Sequence, residues 1–282
     1  MRIAYIILAH KLPEQLVRLV KKLNTDATSF IIHVDRKTDQ KTYQKIVNAL
    51  SPFENVYFLK RHVCNWGGFG HVQATLDGIR EVFALNLQFD YAILLTGQDY
   101  PIKSNEIIEK SLEENNQNSF IEYFHLPNEI WENENGGLDR INYWHLNFLG
   151  EPRKIFPRFD LIYLKSIKRF KIFGGSSYWC LTRDCVKFII EYLEQNDNFI
   201  KFWKYVRIPD EGFFQTLLLN SDYKGQLIND NFRYIVWSNS PHPEILGEQE
   251  YEQFITSNKL FARKFDVTVN SNILDMIDEA TA

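Results

Sequence analysis

Cysteine is scarce in this chain. Cys64, Cys180 and Cys185 are the only three, an odd number without the paired spacing of a disulfide framework or a zinc site. Long apolar runs are missing too. The longest near the N-terminus, Ile3–Ala9, is far too short to span a membrane. It also has neither the h-region nor the cleavage pattern of a signal peptide, and reads as a buried strand. No sign of charge dominates: 32 Lys and Arg against 36 Asp and Glu leave a net charge of −4, which argues against a nucleic-acid partner. Gly-x-Gly-x-x-Gly and Gly-x-x-x-x-Gly-Lys-Ser/Thr are both absent, which disfavours a dinucleotide fold and a P-loop.

What is present is the balance of a globular protein: 45% hydrophobic and 24% charged residues over 282 positions, enough for one large α/β domain or two small ones. Aromatic residues, at 15%, mostly fill cores, although Trp and Tyr also stack on sugar rings. Residues 3–8 predict a strand, and Leu12, Leu16, Leu19, Val20 and Leu23 follow at helical spacing after a start at Pro13. Residues 30–34 and 56–59 predict further strands. Asn65-Trp66-Gly67-Gly68-Phe69-Gly70 is a glycine-rich turn before a helix that carries Val72, Leu76, Ile79 and Phe83 on one face. Residues 91–95 form a fourth strand, ending in Thr96-Gly97-Gln98-Asp99-Tyr100-Pro101. Such alternation predicts a mostly parallel central sheet flanked by helices.

Ligands bind at the carboxyl ends of strands in such a sheet. His10-Lys11, Asp35-Arg36-Lys37, Trp66-Gly67-Gly68 and Gln98-Asp99 all fall there. Singly each is commonplace, since glycine pairs are usually turns and an Asp after a strand is usually a turn residue or cap. Four in succession point to a nucleotide site. Asp35 suits a ribose hydroxyl or a base edge, and Trp66 either packs on the base or closes the core.

The second half holds Pro209-Asp210-Glu211-Gly212-Phe213-Phe214. Pro209 suits a first helical turn, which puts both carboxylates at the positive end of the helix dipole. The plain reading is ordinary N-terminal charge; bordered by apolar and aromatic residues, a carboxylate there also suits a general base. The basic-aromatic run 153–171 is a solvated face, a phosphate or membrane contact, or part of an acceptor cleft. Gly174-Gly175-Ser176-Ser177 brings backbone close to a ligand or a neighbouring strand. Arg233, central in an apolar strand, is a surface charge or a buried anion clamp, and Lys264 suits a phosphate contact. The residues by themselves describe an α/β nucleotide-using enzyme.

Six blocks in order carry a narrower resemblance. They are His33-Val34-Asp35-Arg36-Lys37, Trp66-Gly67-Gly68, Leu95-Thr96-Gly97-Gln98-Asp99-Tyr100-Pro101-Ile102-Lys103, Gly175-Ser176-Ser177-Tyr178-Trp179, Pro209-Asp210-Glu211 and Leu260-Phe261-Ala262-Arg263-Lys264-Phe265-Asp266. Together they resemble the Core-2/I-branching β-1,6-N-acetylglucosaminyltransferase and peptide O-xylosyltransferase family, glycosyltransferase family 14. The resemblance covers nearly the whole chain and implies a single GT-A-like catalytic domain over 1–282. Residues 1–110 would form mainly its nucleotide-sugar half and 111–282 mainly its acceptor and catalytic half.

It further implies inverting transfer from a UDP-sugar to a hydroxyl of a glycan or glycolipid-type acceptor, with N-acetylglucosamine as the leading donor sugar. Glu211 matches the family's base. Arg233 and Lys264 match the cations that replace a metal on the leaving diphosphate, so neither cofactor nor metal is expected, and this sequence holds no Asp-x-Asp. Leu8, Ala9, His10, Asp35, Arg36, Lys37 and Trp66 match donor-side positions; Glu122, Arg140 and Asp210 match the acceptor side. Ser240-Pro241-His242-Pro243 resembles the xylosyltransferase branch and bacterial members, which makes xylosyl transfer the alternative. A non-catalytic nucleotide-sugar-binding protein is the alternative from another class. Without the animal enzymes' anchor, stem and disulfide cysteines, the chain resembles a soluble bacterial-type member, expected in the cytoplasm or peripheral to the membrane.

Overall fold

The computed structural model describes residues 1–115, 117–148, 150–158, 170–238 and 242–282. Its strands are β1 (Ile3–Ala9), β2 (Thr28–Val34), β3 (Val56–Phe58), β4 (Tyr91–Thr96), β5 (Asp99–Pro101), β6 (Ser119–Ile121), β7 (Phe124–His125), β8 (Tyr143–Phe148), β9 (Glu151–Pro157), β10 (Phe173–Gly174), β11 (Trp179–Thr182), β12 (Leu227–Ile228), β13 (Arg233–Ile235) and β14 (Phe261–Arg263). Its helices are α1 (Pro13–Leu23), α2 (Gln40–Leu50), α3 (Gly70–Ala84), α4 (Asn105–Glu113), α5 (Leu138–Ile141), α6 (Arg183–Gln195), α7 (Asp197–Trp203), α8 (Phe213–Leu219), α9 (Tyr251–Thr256) and α10 (Asn272–Ala280). The class is mixed α/β with mostly parallel main pairings and flanking helices, as the alternation predicts.

Two compact units share the chain. One gathers residues 1–61, 81–117 and 232–282, the other 62–80 and 118–231. Residues 62–80, with Trp66, belong to the second unit, and residues 232–282, with Arg233 and Lys264, belong to the first.

In the first unit β4, β1, β2 and β3 lie in that order, all parallel. β1 is flanked on both sides, and Ile3, Ala4, Tyr5, Ile6 and Ile7 are all buried. A continuous apolar run without polar alternation is what such a strand requires, because both its faces are covered. α1 buries Leu16, Leu19, Val20 and Leu23, the stripe its spacing predicts. Each such side chain contributes about 1.5–3 kcal/mol by leaving water. Arg18 on the same helix pairs with Asp278 of α10 at 2.7 Å, and the Tyr100 hydroxyl donates to Asp278 at 2.9 Å.

A second small sheet in this unit pairs β13 parallel to β14 and β14 antiparallel to β5. Its register sets Asp99 opposite Arg263, Tyr100 opposite Ala262 and Pro101 opposite Phe261. The Gln98-Asp99-Tyr100-Pro101 block and the Phe261-Ala262-Arg263-Lys264 block thus meet as neighbouring strands. Buried Gln15 stitches them, donating to the carbonyls of Gly97 at 3.0 Å and Phe265 at 3.1 Å.

The second unit pairs β12 parallel and β11 antiparallel to β6, with β7–β10 and β8–β9 as two further antiparallel pairs. Its core is aromatic. Phe213 stacks edge-on with Phe199 at 5.1 Å and Phe214 at 5.0 Å, beside Trp203 at 5.9 Å. Every residue of α8 is buried, so this helix is apolar all round rather than amphipathic.

Candidate active site

The Pro-Asp-Glu stretch folds differently from the expected first helical turn. Pro209–Glu211 is a 3-10 turn, and Gly212, at φ −152° and ψ −22°, separates it from α8. Glycine is required there for space: a Cβ would lie 2.9 Å from the Trp203 ring and 3.1 Å from the Phe173 carbonyl. The turn is anchored at its entry by the Ile208 amide, which donates to the Gly67 carbonyl at 2.8 Å. Asp210 and Glu211 therefore precede the helix instead of lying within it.

The Glu211 side chain is 26% exposed. Its Oε2 accepts from Arg140 Nη1 at 2.6 Å. Loss of water raises its carboxyl most, and the charges of Asp210 and Glu122 add to that. Arg140 acts against them, and the net result is a midpoint pushed up to about 7. Asp210 Oδ2 accepts from the Ser177 hydroxyl at 2.8 Å, while its buried Oδ1 has no donor among the described residues. Glu122 accepts from Asn231 Nδ2 at 2.8 Å.

The Gly-Gly-Ser-Ser segment assembles this group. The Gly175 amide donates to the Glu211 carbonyl at 2.9 Å, and a Cβ on Gly175 would run into the Glu122 carbonyl. Ser176 is tied to α8 through Gln215, which donates to its carbonyl at 2.6 Å. The close backbone approach expected of this turn is to its neighbouring segments. Glu122, Asp210, Glu211 and Arg140 are thereby gathered in one unit. Arg140 lies 3.6 Å above the Trp131 ring and also engages Glu134 through Nε; Glu134 in turn pairs with Arg207. Trp66 is 42% exposed, with the Arg207 guanidinium 5.5 Å from its ring, so it does not close the core.

The first unit carries the other predicted residues. Leu8 and Ala9 end β1 opposite His33 and Val34 of β2. The Asp35 amide donates to the Ala9 carbonyl at 2.8 Å, and the Thr38 hydroxyl donates to the His10 carbonyl at 2.8 Å. The Asp35 carboxylate accepts from the Lys37 amide at 2.9 Å and fixes the turn that presents exposed Arg36 and Lys37. Leu8, Ala9, His10, Asp35, Arg36 and Lys37 thus form one strand-end edge. Arg233 is buried rather than a surface charge. Its Nη2 donates to the Leu94 carbonyl at 2.7 Å, and its guanidinium lies 4.4 Å from the Phe261 ring. Lys264 follows β14, half-buried; burial lowers its amine first, then the charges of Lys11 and Arg263.

Sequence reasoning missed Glu134 and Arg207, which hold Arg140, and Arg61, whose Nη2 donates to the Asp35 carbonyl at 2.9 Å. Arg207 could have been noticed as a charge two residues before Pro209. Glu134 carried no signal. In the run 153–171, residues 159–169 lie outside the described residues, as do Ser240 and Pro241. At the run's described start, Lys154 pairs with Asp139 at 2.7 Å, and Arg158 donates to the Phe202 carbonyl at 3.2 Å. No described helix is long and apolar enough to cross a membrane.

Xylosyltransferase 2 of Mus musculus is 27% identical, covering 98% of this chain and 33% of that protein. Xylosyltransferase 1 of Pan troglodytes is 24% identical, covering 98% and 30%. The human "Probable beta-1,3-galactosyl-O-glycosyl-glycoprotein beta-1,6-N-acetylglucosaminyltransferase 7" is 25% identical, covering 98% and 67%. The chain spans about a third of the length of the xylosyltransferases it matches. The family model described as Core-2/I-Branching enzyme matches residues 3–257, from the first strand through the carboxylate turn and Arg233. The chain belongs to the Core-2/I-Branching enzyme family.

Proposed function

We propose that this protein is a glycosyltransferase of GT-A type that moves a sugar from a UDP-sugar to a hydroxyl of a glycan or glycolipid-type acceptor. Transfer inverts the anomeric carbon and needs no divalent ion. The observation that carries the reading is Glu211, a carboxylate raised to about 7 and held by Arg140 within a carboxylate cluster. Such a group is ionised enough near neutral pH to accept a proton, and basic enough to hold it.

In this reading Glu211 takes the proton of the acceptor hydroxyl while that oxygen attacks the anomeric carbon from the face opposite UDP. The bond to the diphosphate oxygen breaks, and its electron pair leaves with UDP. One displacement inverts the centre, so no protein nucleophile is required. Lys264 and Arg233 are assigned to the charge that grows on the diphosphate. Fixed cations can do there what a metal does elsewhere, and the sequence has no Asp-x-Asp. The strand-end edge of Leu8, Ala9, His10, Asp35, Arg36 and Lys37 is assigned to the nucleotide sugar, with Trp66. Glu122, Arg140 and Asp210 are assigned to the acceptor.

The leading donor sugar is N-acetylglucosamine. Xylose is the second reading, favoured by the names of the xylosyltransferases that align over 98% of the chain. We place the reaction in the cytoplasm; recovery of the native protein solely from an extracellular fraction would contradict that location.

The test is a donor screen in EDTA. Each UDP-sugar is incubated with wild type and with Glu211→Gln, and UDP release is followed. Release from one donor, insensitive to EDTA and lost in Glu211→Gln, supports the mechanism and names the sugar. Release that EDTA abolishes and manganese restores sinks the metal-free account. No release together with no UDP binding in calorimetry rejects the donor site.

A further inference from the structure

Arg140 is held from two sides. Its Nη1 reaches Glu211 and its Nε reaches Glu134, while the Trp131 ring forms the floor beneath the guanidinium at 3.6 Å. Glu134 does not belong to Arg140 alone: its Oε1 pairs with Arg207. The result is an alternating row, Arg207, Glu134, Arg140, Glu211, with side chains 32%, 19%, 9% and 26% exposed.

The backbone is shaped to make this row. Glu134 ends the 3-10 turn Glu129–Glu134, and Asn135, Gly136 and Gly137 follow with φ of 54°, 65° and 86°. Three successive left-handed residues reverse the chain, and only glycine adopts that region without strain. Side chains at Gly136 and Gly137 would also collide with Pro127 and with the Trp131 ring. The reversal brings Glu134 back onto Arg140, six positions later. On the other side the Arg207 amide donates to the Arg140 carbonyl at 3.1 Å, which fixes Arg207 to the same strut just before the Pro-Asp-Glu turn.

We propose that Glu134 is a positioning residue for the base: shared between Arg140 and Arg207, it sets how much of Arg140's charge reaches Glu211. This rests on the reading of Glu211 as the base. A carboxylate on the far side of Arg140 partly neutralises it, and Arg207 in turn partly neutralises that carboxylate. The charged groups that face Glu211 are Arg140 from α5, Asp210 from its own turn and Glu122 after β6. Glu134 and Arg207 stand behind Arg140. Glu134 touches no reacting atom, so its effect is on base strength and not on the chemistry itself.

The sign is what distinguishes this from simple scaffolding. Glu134→Gln keeps an oxygen for Arg140 Nε but removes the charge, leaving Arg140 undivided toward Glu211. The midpoint of Glu211 then falls. Arg207→Gln leaves the whole charge of Glu134 on Arg140, and the midpoint of Glu211 rises. Each shift is about one pH unit, the low end of what a charge a few Å away produces.

Two readouts test this. One is the acid limb of the pH–rate profile for UDP release, expected to move down in Glu134→Gln, up in Arg207→Gln and back toward wild type in Glu134→Asp. The other is the Glu211 carboxyl resonance in 13C-glutamate-labelled protein, assigned with Glu211→Gln and titrated without substrate. Opposite shifts in the two variants support the proposal. Shifts of the same sign, or none in either variant while both stay folded, overturn it. If the resonance moves in opposite senses but no donor is turned over, the positioning role stands and the base reading fails. If turnover is normal and neither limb moves, the base reading stands and the positioning role fails.

Discussion

Replacing Arg140 by Met removes the only cation bonded to Glu211 among the described residues and leaves an apolar side chain of similar length on Trp131. In the wild type the Glu211 midpoint of about 7 is the outcome of burial raising it against Arg140 lowering it. Without the cation only raising influences remain: desolvation, Asp210 and Glu122. An opposite charge at hydrogen-bond distance is worth roughly 1–3 pKa units, so the midpoint moves to about 9 if the middle of that range holds. At pH 7 the ionised fraction then falls from about one half to about one hundredth, and the rate falls about 50-fold. The loss is conditional on pH: with the carboxylate again ionised above pH 9, that factor returns. What does not return is any contribution Arg140 makes to acceptor binding, which appears in KM at every pH. The assay is UDP release from the donor named by the screen, between pH 5 and pH 10, for wild type, Arg140→Met and Arg140→Lys. An acid limb that stays near 7 in Arg140→Met, or moves below it, refutes the assignment of Arg140 as the group that opposes burial.

The same carboxylate makes a stability prediction. Its midpoint is raised from 4.5 to about 7, so the unfolded chain ionises there first and wild type loses stability as pH rises through that window. Glu211→Gln lacks that loss, and at 1.36 kcal/mol per unit its stability relative to wild type is about 3 kcal/mol more favourable at pH 8 than at pH 4. Urea unfolding at both pH values measures it, and a difference that does not change with pH contradicts the raised midpoint. Gly175→Ala forces the backbone away from the Glu122 carbonyl and costs about 1–3 kcal/mol. Turnover should fall at least about tenfold with it, since the same residue holds the Glu211 carbonyl. Gly225→Ala, whose Cβ meets nothing within 4 Å, is the control and should stay within about 0.5 kcal/mol of wild type. Lys264→Ala should weaken UDP binding about 10- to 100-fold in calorimetry with EDTA present, the value of one charge-assisted contact to phosphate. Unchanged affinity would remove Lys264 from the diphosphate site.

The parts of the fold that were legible in sequence are those with a local period. β1 is an unbroken apolar run, α1 is a stripe beginning at Pro13, and each was found where its pattern placed it. Patterns failed where backbone geometry or distant packing decides. Gly212 ends the 3-10 turn because Trp203 and the Phe173 carbonyl crowd it, and neither is visible from Pro209-Asp210-Glu211. Arg233 had two readings because a short strand does not reveal which face is covered; Phe261 and the Leu94 carbonyl close over it. Glu134 was invisible for a different reason. Helical periodicity links residues three or four apart, whereas Glu134 meets Arg140 across six residues and three left-handed angles.

The contrast between the two units says why some blocks were so easy to read. Gln98-Asp99-Tyr100-Pro101 and Phe261-Ala262-Arg263-Lys264 are long, specific blocks, yet most of their side chains are buried and face one another. Buried Asp99 accepts from the Thr96 amide at 2.6 Å and lies 3.5 Å from Arg263 Nε, while Tyr100 reaches Asp278. Such groups tolerate little change because each buried polar atom depends on the other's presence. Their shared product is the position of Lys264, one residue beyond the strand. Around Glu211 the constraint is looser in sequence but equally tight in space, met by single residues from five segments: Glu122, Glu134, Arg140, Gly175 and Arg207. A substitution of Asp99 should therefore act on UDP affinity through Lys264, without touching the nucleotide. A substitution of Glu134 should leave UDP affinity alone and move only the pH at which the base is ionised. Measuring both quantities on both variants separates the two kinds of support, and a crossed result, Glu134→Gln changing UDP affinity at constant pH profile, would show that this division is wrong.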